Sequence, residues 1–240
     1  MPRTFSVLIR NGLVFDGTGA GAAQFDVGIE GNVVRAVEDL RDATGIVEID
    51  ASDRYVAPGF IDLTNHSDTH WTLFDHPRQE SLISQGVTTV VGGNCGSSLS
   101  PLARSSDIEG IQKWTDISRI NINWQRTDEF FAELERAGLG VNLASLIGHG
   151  TLRRASGMDI ALRANAEQIS QMVYLLREAL DAGAWGLSTS LGRSFALSTE
   201  HDELEALFKT VQSYGALTAH HLADEGTGIT AALSGIAGAL

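Results

Sequence analysis

The chain holds one cysteine, two lysines and four prolines in 240 residues, and each scarcity narrows what it can be. A single cysteine excludes an internal disulfide framework and suits a reducing cytoplasm. With 17 Lys and Arg against 30 Asp and Glu, the formal charge is -13, which disfavours nucleic acid and anionic membranes as partners because both demand a basic surface. No apolar run approaches the ~18 residues needed to cross a bilayer. The opening Met1–Arg10 also lacks the long apolar stretch of a signal peptide. The expectation is a cytoplasmic protein that acts on a small molecule.

What is present is a core-forming composition, 43% hydrophobic, in two textures. Residues 1–55 carry short apolar or alternating runs (Val7-Leu8-Ile9, Leu13-Val14-Phe15, Val33-Val34, Val47-Glu48-Ile49) separated by turns such as Asn11-Gly12 and Gly31-Asn32. They read as a small sheet domain. Residues 56–240 alternate strand, loop and helix, the signature of parallel βα units. Val56–Leu63 and Val87–Val91 are predicted strands with a helix over Pro77–Gln85 between them, and Ser105–Ile120 reads as an inserted helical loop. Thr127 is predicted to cap a helix, Asn165 with Gln168 forms a capping-box start, and Ser198 or Thr199 begins another helix. Val141–Ile147, Trp185–Thr189 and Ala216–His221 are further strands. About five such units fit where a closed barrel has eight. The fold expected is therefore α/β: an incomplete (β/α)8 TIM-type barrel, truncated or completed by another chain, behind the small sheet domain. Uncovered edges make a complementing chain or a homo-oligomer a further expectation.

Barrel chemistry collects at the carboxyl ends of the strands, and three residues that bind soft metals fall there. His66 follows the first barrel strand, Cys95 the second, in Val90-Val91-Gly92-Gly93-Asn94-Cys95-Gly96, and His221 the fifth. Imidazole and thiolate suit zinc, whose catalytic sites keep three protein ligands and an open position. His220 and His221 are adjacent, and strand alternation allows only one of them to face the interior. Asp62, Asp68, Asp224 and Glu225 stand beside these histidines as expected hydrogen-bond acceptors that would orient them. His149, among small residues after the third strand, is a candidate for the substrate pocket, whereas His70, His76 and His201 read as surface residues. Lys113 and Lys209 lie away from strand ends, so a lysine carbamate bridging two metals is not on offer.

Pro58-Gly59-Phe60-Ile61-Asp62, His66-Ser67-Asp68 and Gly86–Gly96 together resemble the N-acyl-D-amino-acid deacylase branch of the amidohydrolase superfamily. Gly148–Arg153, Gly183–Thr189 and His221–Gly226 extend the likeness over nearly the whole chain. The resemblance implies a zinc-dependent (β/α)8 barrel with a small β-sandwich, hydrolysing an N-acyl amide such as that of an N-acyl-D-amino acid. It implies Cys95 and His221 as ligands of the tightly held Zn(2+), with His221 rather than His220 because Asp224 and Glu225 follow at the family spacing. His66 joins them from the first strand. Ser188 lies in one of the matching stretches and is expected, with His149, against the substrate. The sixth-strand histidine and the general-base aspartate of the family are expected beyond Leu240.

Two departures stand inside the matched region. The first-strand His-x-His is Thr64-Asn65-His66, which weakens a second metal site, and the arginine of the His-x-Arg-Asp-Glu segment is Ala223. The missing histidine and the early stop motivate one rival, a non-catalytic amidohydrolase-like protein that binds a ligand or completes a subunit; a second keeps the enzyme class but takes a cyclic amide, as a hydantoinase or dihydropyrimidinase does, and the absence of a strand-end lysine argues against it.

Overall fold

The structure is a computed structural model that describes residues 3–104, 107–108, 121–158, 162–192, 196 and 198–221. The chain divides into two units, Met1–Gly59 and Phe60–Leu240.

In the first unit β1 (Thr4–Val14) is central: it pairs antiparallel with β2 (Ala23–Glu30), which pairs with β3 (Val33–Glu38), and parallel with β4 (Thr44–Asp50) and β5 (Tyr55–Val56). Phe5, Leu8, Ala36, Leu40 and Ala43 close its small core. Each large apolar side chain fully buried there contributes about 1.5–3 kcal/mol. β4 instead leaves Ile46, Val47 and Ile49 exposed.

The run Val56–Leu63, expected as one strand, is divided. Tyr55–Val56 pairs with β1 in the first unit, and β6 (Phe60–Asp62) opens the second. Pro58 lies between them, and its missing N–H cannot serve a ladder, so the break falls there.

The second unit is a parallel sheet in sequential order: β6, β7 (Val87–Gly92), β8 (Asn142–Gly148), β9 (Gly186–Ser190) and β10 (Leu217–His221). It curls as a half-barrel. Helices α3 (Thr127–Ala137), α4 (His149–Ala155), α5 (Ala166–Asp181) and α6 (His201–Ser213) alternate with the strands. α5 starts on the expected box, with Asn165 Oδ1 accepting from Gln168 N and Gln168 Oε1 accepting from Asn165 N, both at 2.9 Å. Its apolar stripe then buries Met172, Leu176 and Leu180 against Ile147, Leu187 and Leu207. Burying that face supplies what isolated helix propensity does not.

The helix expected over Pro77–Gln85 is a single turn, α2 (Glu80–Ile83), and another single turn not expected, α1 (Thr72–Asp75), precedes it. Trp71 and Gln79 take left-handed backbone angles, φ 64° and 49°, which a continuous helix forbids. Gln79 is buried, and its side-chain amide donates to the carbonyls of Thr72 and His76 at 2.7 Å, so local side-chain bonds hold the break. α4 was not expected, because a seven-residue helix opening His-Gly is too short to show a period. The expected helical insertion 105–120 falls almost wholly outside the described residues. Among the described residues no helix is long and apolar enough to cross a membrane.

Candidate metal centre

β7 ends at Gly92, and the turn that follows is dictated by lack of space. A Cβ on Gly93 (φ +73°) would sit 1.8 Å from the Leu146 carbonyl oxygen, and one on Gly148 would lie 2.5 Å from the Gly96 carbonyl carbon. Only glycine lets β7 and β8 approach this closely. Between Gly93 and Gly96, Cys95 itself is left-handed at φ 55°, a conformation that costs a non-glycine residue roughly 1–2 kcal/mol.

Hydrogen bonds hold this turn from several sides. Gly93 N donates to Asp68 Oδ2 at 2.6 Å, and Asn94 Nδ2 donates to Val91 O at 2.7 Å. Gly96 N donates to Ser188 Oγ at 3.0 Å, and Gly96 O accepts from Gly150 N at 2.9 Å. Ser188 Oγ in turn donates to Gly93 O.

The turn presents the half-buried Cys95 sulfur to two imidazoles, His221 Nδ1 at 3.3 Å and His66 Nε2 at 3.7 Å. Three residues from the ends of β6, β7 and β10 thus meet at one point. Alternation along β10 separates the adjacent histidines: His220 Nδ1 lies 2.8 Å from Thr189 Oγ1, and its ring packs edge-on against Phe208 at 5.4 Å. Burial pushes the His220 imidazole below its ordinary value.

Asp62 and Asp68 act on the chain that carries His66. Asp62 accepts from Thr64 N at 3.2 Å and Asn65 Nδ2 at 2.9 Å, and Asp68 accepts from Thr69 N at 2.7 Å as well as from Gly93. Asp224 and Glu225 lie outside the described residues. His70, expected at the surface, is partly buried with its ring 6.4 Å from that of His66, whereas His76 and His201 are exposed.

His149 and Ser188 are both fully buried. His149 Nε2 lies 2.6 Å from Glu203 Oε1, and Arg153 Nη1 reaches both Glu203 oxygens at 2.9 and 2.8 Å. An ionised carboxylate can only accept, so Nε2 carries the imidazole proton. His149 Nδ1 has no partner among the described residues. Arg153 also donates to Thr199 Oγ1 and Ser198 Oγ, tying α4 to the start of α6. Arg153 and Glu203 were missed in the sequence, where charges on helices read as solvated.

Among the described residues no group of three or more His, Cys, Asp or Glu is arranged as a ready metal cage. The two sulfur–imidazole separations still have a meaning. Zinc with Zn–S near 2.3 Å and Zn–N near 2.0–2.1 Å in tetrahedral array sets its ligand atoms roughly 3.5 Å apart. The 3.3 and 3.7 Å spacings bracket that value, and thiolate with imidazole is the donor set zinc takes. The donor types fit the ion, as two sulfur–imidazole pairs sharing Cys95 and not as a closed three-ligand cage.

A family model described as Amidohydrolase family matches residues 47–237. D-aminoacylase of Alcaligenes xylosoxydans xylosoxydans is 34% identical over 229 residues, 95% of this chain and 46% of that protein. N-acyl-D-glutamate deacylase of the same organism is 34% identical over 233 residues, 97% of this chain and 47% of its own length. The crystal structure of N-acyl-D-glutamate deacylase from Bordetella bronchiseptica, complexed with zinc and a phosphonate inhibitor that mimics the reaction tetrahedral intermediate, superposes with a TM-score of 0.85 at 30% identity. It covers 98% of this chain and 48% of that one. The chain spans about half the length of the curated relatives it matches.

Proposed function

The chain belongs to the amidohydrolase family, and from that premise we propose that it forms part of a zinc-dependent hydrolase of N-acyl amide bonds, with N-acyl-D-amino acids as the substrate class. The observation that carries the proposal is the convergence of His66 and His221 on the Cys95 sulfur at 3.7 and 3.3 Å. These three side chains would hold the ion. Zinc bound there supplies a water of lowered pKa and a Lewis acid for the amide carbonyl.

The chain's own residues prepare that centre. Asp68 and Ser188 fix the backbone on either side of the cysteine, and Asp62 sets the approach of the segment bearing His66. His149, closed off from solvent and bonded to Glu203, supports the wall behind the turn through its neighbours Gly148 and Gly150. The remainder of an eight-stranded barrel, the aspartate that accepts the proton and the completing half of a β-sandwich belong to the same proposal.

The deacylase relatives favour this reading over the two rivals. A cyclic amidase finds no lysine in the described site, and a purely binding protein has no use for a strained thiol against two imidazoles. The test is metal analysis of the purified protein together with hydrolysis of N-acetyl-D-amino acids. The expected result is bound zinc, and activity lost in Cys95→Ala along with the metal. A metal-free protein, or full hydrolysis by Cys95→Ala, refutes the proposal.

A further inference from the structure

Ser188 was expected against substrate, yet its atoms are already committed. A serine hydroxyl has one proton to give and lone pairs to receive. The Ser188 proton goes to Gly93 O, and a lone pair takes Gly96 N–H at 3.0 Å. The residue is wholly buried, so nothing remains to donate to a ligand. Its neighbour across the sheet, Gly148, is the glycine pressed against Gly96. One hydroxyl therefore bridges the two limbs of a turn whose middle is the left-handed Cys95.

We infer that Ser188 is a positioning residue for the Cys95 thiolate, and that it sets the affinity of the centre for a thiophilic divalent cation without touching the substrate. The inference rests on the metal reading of the site given above. A non-glycine residue stays in the left-handed region only where its surroundings over-determine it. Asp68 on Gly93 N and Gly150 on Gly96 O hold the two limbs separately, and beside the hydroxyl a longer bond from Ser97 N to Asn94 O at 3.2 Å closes the turn. Without the hydroxyl, Gly93 O and Gly96 N lose a buried partner, and across Cys95 the turn keeps only that longer bond. The sulfur then leaves the point at which His66 and His221 meet it.

The experiment compares wild type, Ser188→Ala and, as a control, Thr210→Val. Thr210 is buried like Ser188, but its hydroxyl donates to Ala206 O at 2.9 Å within α6, away from the turn. Cobalt(II) is titrated into metal-free protein while the sulfur-to-cobalt charge-transfer absorption is followed, and amide exchange is measured over Gly93–Gly96. Loss of a group that orients a ligand typically weakens metal binding about 10–100-fold. That weakening is expected for Ser188→Ala, with faster exchange confined to the turn, while Thr210→Val binds cobalt as wild type does.

Unchanged cobalt affinity and exchange in Ser188→Ala overturn the inference, as does an equal loss in Thr210→Val. A raised KM with unchanged cobalt affinity also overturns it, since that marks contact with substrate. If Ser188→Ala does not fold, the wild-type Gly96 amide decides: slow exchange supports the bridge and rapid exchange refutes it. If wild type takes up no cobalt while the turn still loosens in Ser188→Ala, the metal reading falls and the bridge between the two limbs stands.

Discussion

Replacing Glu203 by Gln removes one charge and almost no volume, which makes it a clean probe of the buried network that joins α4 to α6. Arg153 and Glu203 are 0% and 1% exposed, so solvent cannot take over when one partner is lost. Arg153 Nη1 bonds both carboxylate oxygens at 2.9 and 2.8 Å, and hydrogen bonds to charged groups are worth about 1.5–3 kcal/mol each. Breaking a buried pair from one side costs roughly 3–5 kcal/mol, because an uncompensated charge is left inside. Against a total stability of about 5–15 kcal/mol, that is a large fraction. At about 2–4 °C per kcal/mol for a chain of this size, the melting temperature should fall by roughly 6–20 °C. Urea unfolding followed by tryptophan fluorescence measures the loss directly. The double replacement Arg153→Met with Glu203→Leu should cost less than the sum of the two single changes, since no charge is then stranded. A loss under about 1 kcal/mol for Glu203→Gln, the range of an exposed pair, would refute the argument that this network is sealed from water.

Two further outcomes follow from other parts of the chain. Gly93→Ala places a methyl 1.8 Å from the Leu146 carbonyl, and strain of that size should cost several kcal/mol and abolish metal uptake, as read by calorimetry and metal analysis. In the first unit, hydrogen bonds from the Arg10 guanidinium and then from Gly45 N–H hold the Glu48 carboxyl below its ordinary value. The native pKa is lower than the unfolded one, so Glu48 adds stability above the unfolded carboxylate pKa and loses it as pH falls through the native value. Glu48→Gln should flatten the acid limb of the stability profile from the ordinary carboxylate pKa downward, measured by denaturant midpoints at each pH.

Much of the architecture was legible because it repeats. Apolar stripes at helical spacing, Met172, Leu176 and Leu180, and the Asn165–Gln168 box mark α5 in the sequence and are realised in the structure. The strand that delivers Cys95 announces itself by an apolar run ending in Gly-Gly. The reading that at most one of His220 and His221 faces inward follows from a period of two, and His221 is the one that meets Cys95. What stayed hidden depends on partners far apart in the chain. Arg153 and Glu203 are fifty residues apart, and nothing in either neighbourhood tells a buried charge from a wet one. The broken helix between β6 and β7 was illegible for a different reason: left-handed Trp71 and Gln79 and the bonds of the Gln79 side chain to Thr72 and His76 are local, but they leave no apolar period to read. Ser188 lay in a matching stretch, but its commitment to Gly93 and Gly96 appears only when β7 and β9 are folded together.

The solitary thiol of Cys95 has a chemical consequence. Peroxide converts a thiolate to a sulfenic acid, which is normally rescued when a second thiol condenses with it. This chain offers no such resolving partner, so a Cys95 sulfenate would advance to the irreversible sulfinic and sulfonic states unless an external thiol intercepted it. An ion seated on the sulfur would withdraw the electron pair that oxidants attack, and catalytic centre and antioxidant shield would then be one and the same.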